Sequence, residues 1–240
     1  MVFINNKPIV SIGLPVFNGE RYLKQTIESI TEQTFSNFEL IISDNNSNDS
    51  TSKICKEFTK LDKRIKYYKQ RNNNGFWDNY KFVLEKSIGE YFIWIAHDDL
   101  QNKKMISELV KILEENKEVV LATCDIQNIN EDGLNTFIQK IEQIRLTKSL
   151  KNKMLNTIYF FRNPTSSIYN SFYGLYRHKS IKNIDLNYGG ILKYATGWEI
   201  PFLAQVSLKG SIISIPLPYK KYRRHSKSMY HSESQNKGLI

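Results

Sequence analysis

Asp98 and Asp99 are adjacent carboxylates at the end of the stretch Gly89-Glu90-Tyr91-Phe92-Ile93-Trp94-Ile95-Ala96-His97-Asp98-Asp99. Two neighbouring carboxylates repel each other unless a cation or a donor-rich ligand shares them. Taken alone, the pair reads equally as a solvated turn capping the next helix. Its position argues for more. Tyr91 to Ala96 form a short aromatic and branched apolar run, the signature of a strand buried on both faces. In an open α/β sheet, ligands sit in the crevice beyond the carboxyl ends of the strands. Other strands end in compatible chemistry: Asn18 follows one, Asp44 closes another, and Gly75 lies in a loop after a third.

The elements that must position these groups can be read from periodicity. Ile9 to Pro15 form a first strand, with Pro15 marking its exit. Asn18 then reads as a helix N-cap and Glu20 as a first-turn carboxylate favoured by the helix dipole. Leu23, Ile27 and Ile30 follow at helical spacing. Phe38 to Asp44 form a second strand, and Asn45 to Thr51 a turn and cap leading into a helix with Ile54, Phe58 and Leu61. Ile65 to Lys69 make a third strand, Asn72-Asn73-Asn74-Gly75 a loop, and Tyr80, Val83 and Leu84 mark another helix. After the central stretch come a helix with Met105, Leu109, Ile112 and Leu113 and a strand from Val119 to Cys124. Strands alternating with helices at this spacing predict an α/β fold whose N-terminal half is a mostly parallel sheet with helices on both faces. The loops carrying Asn18, Asp44, Gly75 and Asp98-Asp99 are then expected on one rim.

The second half is less regular. Residues 130–165, with the aromatic patch Tyr159-Phe160-Phe161, read as an excursion from the sheet, and Phe172 to Tyr176 as a strand returning to it. Gly197-Trp198-Glu199 opens a helix through Phe202, Leu203, Val206 and Leu208, with Pro201 tolerated in its first turn. Ser211 to Ile215 form a last strand, and the polar segment from Ser226 is expected to fray.

The formal net charge is +10 and the isoelectric point about 9.4. Such a balance fits nucleic acid, an anionic membrane surface or a phosphate-bearing substrate. The densest cluster is Lys220-Lys221-Tyr222-Arg223-Arg224-His225, with Lys148, Lys151 and Lys153 as a looser group. Cys55 and Cys124 sit in apolar segments and read as buried thiols, for which a reducing cytoplasm is the default. No signal peptide and no apolar run long enough to cross a bilayer is expected.

In their order and spacing these segments resemble the family 2 glycosyltransferases, nucleotide-sugar enzymes of the GT-A fold. Pro15-Val16-Phe17-Asn18 is similar to the family's opening motif. Asp44-Asn45-Asn46-Ser47-Asn48-Asp49-Ser50-Thr51 is similar to its second-strand motif, and Asn73-Asn74-Gly75 with Asn79 to the loop before the metal motif. His97-Asp98-Asp99 takes the place of the acidic motif, with His97 where many members carry an acid. The resemblance implies a donor site formed by Pro15, Val16, Asn18, Glu20, Asp44, Asn74, Gly75, Asn79 and Asp98. Within it, Asp44 holds a nucleobase, Asp98 contacts the ribose and Asp99, aided by Asp98, binds a divalent metal. Glu199 is placed like the family's catalytic base, with Trp198 where a second acid is usual. Arg224 and His225 belong to a segment similar to one that folds over the diphosphate. One domain over 1–225 is then expected, with a nucleotide-sugar half (1–125), an acceptor-side half (126–225) and a polar tail (226–240).

Chemistry from below agrees with that implication. Glycosyl transfer breaks an anomeric C–O bond and must stabilise a departing diphosphate, which a divalent ion does economically. Magnesium or manganese takes one or two carboxylates plus substrate phosphates, so no histidine or cysteine cage is needed. The transition state resembles an oxocarbenium ion, and a base opposite the leaving group gives inversion. An Asp44 contact to N3–H favours UDP or dTDP sugars. Each residue also has a plainer role: Asp44 as an Asx-turn acceptor, Glu199 as a first-turn dipole partner, Arg224 and His225 as solvated charge, and His97 as a local structural contact. Lys220 and Lys221 read as surface charge and Trp94 as core. Trp77 and Trp198 read as core or sugar platforms. The expected function is an inverting, metal-dependent transferase acting on a glycan or lipid-linked acceptor in cell-surface polysaccharide or lipopolysaccharide assembly. It is expected in the cytoplasm, with loose contact to the membrane face and no nucleic acid partner. A sugar nucleotidyltransferase is the enzymatic alternative, disfavoured by the single glycine in Pro15-Val16-Phe17-Asn18-Gly19. A basic module binding polyanions is the non-enzymatic one. Sugar, linkage and oligomeric state are not encoded legibly.

Overall fold

A computed structural model describes residues 7–141, 166–184 and 199–226. The first half alternates as its periodicity demands: β1 (Val10–Val16), α1 (Leu23–Thr31), β2 (Phe38–Asp44), α2 (Thr51–Leu61), β3 (Ile65–Lys69), α3 (Phe76–Lys86) and β4 (Tyr91–Trp94). A two-residue strand, β5 (Leu100–Gln101), precedes α4 (Met105–Glu115) and the long β6 (Val119–Ile129). The hairpin strand β7 (Asn135–Gln139) follows, and then α5 (Ser166–Ser171), β8 (Leu175–Arg177), α6 (His178–Ile181), α7 (Glu199–Lys209) and β9 (Ser211–Arg223).

The described strands form one sheet in the order β3-β2-β1-β4-β8-β6-β9-β5, with β7 paired to β6. β1 lies parallel to β2 and β4, and β2 parallel to β3. β8 runs antiparallel to both β4 and β6, which restores the original direction, and β9 is parallel to β6. The carboxyl ends of β1, β2, β4, β6 and β9 therefore meet one rim. The expected α/β architecture is thus present, and the C-terminal half adds two long strands that end beside the acidic motif.

Helices cover both faces. Leu23, Ile27 and Ile30 of α1 and Met105, Leu109 and Leu113 of α4 pack with one face of β1 and β4, while Tyr80, Val83 and Leu84 of α3 and Phe202, Leu203 and Val206 of α7 pack on the other. Every side chain from Tyr91 to Ile95 is buried. At about 1.5–3 kcal/mol for each large apolar side chain buried, this strand is a principal source of cohesion. Trp94 is core, stacked on Phe172 at 4.6 Å, with its indole N–H donating to the Tyr80 carbonyl at 3.1 Å. Cys55 and Cys124 are buried and unpaired, and burial pushes their thiols up to about 12 and about 11.

Several boundaries differ from the periodic reading. Asn18 does not cap α1, which begins at Leu23 without a side-chain cap. Asn18 instead takes a left-handed φ of 49° and its Oδ1 accepts the Asn48 N–H, while Glu20 Oε2 accepts the Ser50 N–H. Both residues tie the first loop to the second rather than starting a helix. Leu61 ends α2 81% exposed, so the packing of that helix rests on Ile54, Cys55 and Phe58. Leu208 is exposed on α7 as well. β6 and β9 run well beyond the predicted strands because they pair with each other as far as Ile129 and Arg223. Tyr159-Phe160-Phe161, Lys148, Lys151, Lys153, Gly197, Trp198 and the tail after Ser226 lie outside the described residues.

His178 fastens β8 to β4: Nδ1 lies 2.9 Å from the Gly89 carbonyl and Nε2 3.1 Å from Ser87 Oγ. Burial holds its pKa below the usual value, with the Gly89 contact opposing that shift. A depressed folded-state pKa means that the unfolded chain binds the proton more readily, so stability is lost as pH falls from about 6.5 through the folded value. The melting temperature is expected to fall between about pH 7.5 and about pH 5.5. Thermal scans of His178→Gln should show a shallower slope over the same range.

Candidate functional site

The rim is built by cross-links between the strand-end loops. The Asn18 N–H donates to Ser47 Oγ at 2.9 Å and the Gly19 N–H to Thr51 Oγ1 at 2.8 Å, joining the first and second loops. Asn45 reaches the third loop, donating to Asn73 Oδ1 at 2.8 Å and accepting the Asn74 N–H at 3.1 Å. Asn79, from the first turns of α3, donates to the Val16 carbonyl at 3.3 Å and the Ser43 carbonyl at 3.0 Å. Gly19 permits close packing of the fourth loop: a Cβ there would lie 2.6 Å from Val16 Cγ2 and 2.9 Å from His97 Cδ2. Gly75 takes φ 90°, a conformation glycine adopts without strain.

Pro15, Val16, Asn18, Glu20, Asp44, Asn74, Gly75 and Asn79 are thereby brought together at the ends of β1, β2 and the loop before α3. Asn18, Glu20, Asn74 and Gly75 are exposed, whereas Pro15, Val16, Asp44 and Asn79 are buried beneath them. Asp44 is fully enclosed: Oδ1 accepts the Ser47 N–H at 2.7 Å and Oδ2 the Tyr67 hydroxyl at 2.7 Å. Its carboxylate shapes the turn that presents Asn45 and Asn46. A polar groove of about 230 Å³, lined by Asn45, Gln70, Asn74, Asp78 and Asn79 among others, runs beside this turn. A roomier cavity of about 780 Å³ lies at the opposite end of β4, between Gly89, Glu90, Lys179 and Lys182, away from the acidic corner.

The acidic corner itself is closed by the C-terminal strand. Asp98 Oδ2 lies 2.8 Å from His225 Nε2. Burial pushes the Asp98 carboxyl up, but the His225 hydrogen bond and the nearby His97 and His225 imidazoles outweigh it and hold the group below the usual carboxylate range. Asp99 is 1% exposed and faces β9: Oδ1 accepts the Arg223 N–H at 3.1 Å, and Oδ2 lies 3.0 Å from Lys220 Nζ. The Lys220 approach is too oblique for a good hydrogen bond, and neither Lys220 Nζ nor Asp99 Oδ2 has one among the described residues. Attraction across this contact is chiefly coulombic. Burial moves the Asp99 carboxyl upward, Lys220 opposes that shift and the Asp98 charge adds to it.

Arg223 completes the closure. Its guanidinium donates to the Asp98 carbonyl at 3.0 Å, the Glu131 carbonyl at 2.8 Å and Gln25 Oε1 at 2.8 Å, and lies over the Tyr22 ring at 4.4 Å. Thr26 Oγ1 lies 2.8 Å from the His97 carbonyl and 2.9 Å from the Asp99 carbonyl, its one proton shared between them. Arg224 points elsewhere, bonding Asn128 Oδ1 at 2.8 Å and resting over Phe137. His225 thus reaches the corner and Arg224 does not. Lys220 and Arg223 are buried participants that a basic run does not reveal. The signal that could have found them is strand geometry, since β9 continues through the run and turns side chains inward from it.

Glu199 opens α7 and is 9% exposed. Its charge acts on the phenols of Tyr80 and Tyr222, which also feel Asp98 and Asp99. Tyr173 lies in the same layer, its hydroxyl 3.3 Å from that of Tyr80 and its ring 3.8 Å from Lys220 Nζ. Carboxylates from the two halves of the chain therefore act on one layer of tyrosines. Among the described residues, no three His, Cys, Asp or Glu side chains gather closely enough to hold a metal ion alone. Asp98 and His225 offer an oxygen and a nitrogen donor; the carboxylate suits magnesium or manganese once diphosphate oxygens complete the shell, whereas imidazole suits manganese better than magnesium.

Known proteins resemble this chain in sequence and in fold. An uncharacterised glycosyltransferase of Haemophilus influenzae is 29% identical over 236 residues, 96% of this chain and 71% of that protein. A Bacillus subtilis protein named for teichuronic acid biosynthesis, the glycosyltransferase TuaG, is 27% identical over 68% of this chain and 66% of its own. The Staphylococcus aureus TarS 1–349 structure in complex with UDP-GlcNAc superposes with a TM-score of 0.71 at 19% identity, covering 93% of this chain and 60% of that one. The mannosyltransferase PcManGT of Pyrobaculum calidifontis, in complex with GDP-Man and Mn²⁺, superposes with a TM-score of 0.62 at 13% identity over 95% of this chain and 60% of its own. These structural likenesses show a GT-A-like fold, and the chain spans about 60% of the solved structures. The model described as glycosyl transferase family 2 matches residues 11–183, and the chain belongs to that family.

Proposed function

We propose that this protein transfers a sugar from a nucleotide diphosphate donor to a hydroxyl of a glycan or lipid-linked acceptor, with inversion at the anomeric carbon. The observation that carries the reading is the meeting of Asp98 and His225 at 2.8 Å across one strand-end rim. The UDP-GlcNAc and GDP-Man complexes of TarS and PcManGT support a nucleotide-sugar donor. TuaG's name supports a role in assembling a cell-surface polysaccharide.

Asp98 and His225 would hold a magnesium or manganese ion, whose positive charge would offset the charge gathering on the departing diphosphate. The exposed loop residues Asn18, Glu20, Asn74 and Gly75 would receive the nucleoside. Asp44 serves there by shaping the turn. Its carboxylate is fully buried, so selectivity for uracil or thymine would fall to backbone and amide groups around Asn45 and Asn74. Glu199 would accept the proton of the acceptor hydroxyl as its oxygen bonds to the anomeric carbon. The bond from that carbon to the diphosphate breaks, and its electron pair leaves with the phosphate.

A polyanion-binding module has less support than the basic composition suggests. Within Lys220 to His225, Lys220, Arg223 and His225 are 3%, 1% and 8% exposed, so half of the cluster serves the interior. No helix among the described residues is long and apolar enough to cross a membrane. With a net charge of +10, loose attachment of a cytoplasmic enzyme to an anionic membrane face is the accompanying proposal. Co-sedimentation with anionic vesicles should fall steeply with salt, and neutral vesicles should not retain the protein.

Calorimetry of UDP with and without Mn²⁺ tests the donor site. Binding should strengthen with metal in the wild type and lose that dependence in Asp98→Asn. Absence of binding by UDP, dTDP and GDP under both conditions would overturn the proposal. Glu199→Gln should bind UDP normally and turn over about 10²–10⁴-fold more slowly, the usual cost of removing a general base. Unchanged turnover would remove Glu199 from that role.

A further inference from the structure

Lys220 is a lysine in an unusual place. Its side chain is 4% exposed, its ammonium lies against Asp99 and the face of Tyr173, and it has no well-formed hydrogen bond among the described residues. Burying two opposite charges is expensive, and such a pair is weak evidence for stability in itself. A pair retained under those terms calls for another role, and its connections suggest one.

Asp99 grips β9 at two points, the ammonium of Lys220 and the backbone N–H of Arg223. Two residues beyond Arg223, His225 meets Asp98. Asp98 in turn is held through its carbonyl by Arg223 Nε. The carboxylate of Asp99 therefore sets the strand position from which His225 reaches its neighbour. Charge gives the same division. Two free carboxylates side by side would repel, whereas an ammonium on one leaves a single negative group facing the crevice. The side chains agree, since that of Asp98 is 16% exposed and that of Asp99 1%.

We propose that Lys220 and Asp99 form a positioning pair, which pins β9 so that His225 meets Asp98 and leaves Asp98 as the carboxylate available to a cation. This rests on the donor-site reading above and assigns Asp99 a different task from metal ligation. Lys220 acts through Asp99 and touches neither donor nor acceptor.

The experiment is calorimetric titration of UDP at increasing Mn²⁺ on wild type, Asp98→Asn, Asp99→Asn and the double variant Asp99→Asn with Lys220→Met. Asp99→Asn strands a buried ammonium at the corner. It should raise the half-saturating Mn²⁺ about tenfold, the scale of a lost supporting contact behind a metal site. The double variant removes the stranded charge and keeps an acceptor for the Arg223 N–H but not the ion pair, so its half-saturating Mn²⁺ should fall between those of wild type and Asp99→Asn, as expected for directly coupled residues. Adding Lys220→Met to Asp98→Asn should restore nothing.

A double variant that has lost metal dependence as fully as Asp98→Asn would make Asp99 a ligand and overturn the inference. So would an Asp99→Asn protein whose Mn²⁺ requirement matches wild type. Should Asp99→Asn alone fail to fold, the double variant decides the question by itself. Wild type that binds no nucleotide with Mn²⁺ would sink the donor-site proposal first, and this inference with it.

Discussion

The guanidinium of Arg223 is the contact on which the site depends. It is a buried cation whose partners are chiefly carbonyl and amide oxygens, from Asp98, Glu131 and Gln25, with the Tyr22 ring against its face. These groups come from α1, the loop after β4 and the turn between β6 and β7. One side chain thereby joins the helix behind the rim, the acidic corner and the C-terminal strand. A planar fork can serve such divergent acceptors at once, which a lysine cannot. Glu131 completes the arrangement from outside, placing its carboxylate on Arg21 and the Ser226 N–H. The chain is thus held just past His225, where the rim needs it.

This closure explains why the sheet is built with β8 reversed. β4 carries the acidic corner, and a strand that ends beside it must run in the same direction. A single antiparallel strand between β4 and β6 restores that direction, and β9 adds next to β6. β6 and β9 then extend together past the predicted boundary until Arg223 is level with Ile129. The short β5, antiparallel to β9 through Leu100–Lys221 and Gln101–Lys220, binds the chain just after Asp99 to the same strand. The corner is consequently fastened by backbone pairing as well as by side chains.

Much of the donor half was legible because its signals are local. Apolar runs of strand length, helical spacing in α1, α3 and α4, and polar residues at strand ends follow from sequence without knowledge of distant partners. The misread positions depend on distant partners. Asn18 and Glu20 carry the chemistry of a cap, yet the second loop offers them backbone N–H groups in a competing geometry, and α1 starts later. Asp44 ends its strand as predicted, but only Tyr67 from β3 shows that its second oxygen is occupied. Lys220 looks like surface charge because a basic run usually is, and nothing local in the sequence marks Arg223 as buried. Only their distance from a buried carboxylate and a ring of carbonyls, well over a hundred residues away in sequence for Asp99, reveals otherwise.

The same contacts fix the electrical character of the space between Asp98 and Glu199. Tyr80, Tyr173 and Tyr222 feel Glu199 and the acidic corner, and burial raises each phenol above its ordinary value. These hydroxyls remain neutral at physiological pH and can donate to sugar oxygens without adding charge. Lys220 lies between Asp99 and the Tyr173 ring, and Arg223 is satisfied by carbonyls. Among the described residues, the carboxylates of Asp98, Asp99 and Glu199 act on the Tyr80 and Tyr222 phenols, opposed at Tyr222 by Arg224. On the proposed reading, a nucleotide diphosphate entering beside Asp98 would bring negative charge that an accompanying cation would offset. On that reading metal and donor would favour each other's binding, because each supplies charge that the other needs.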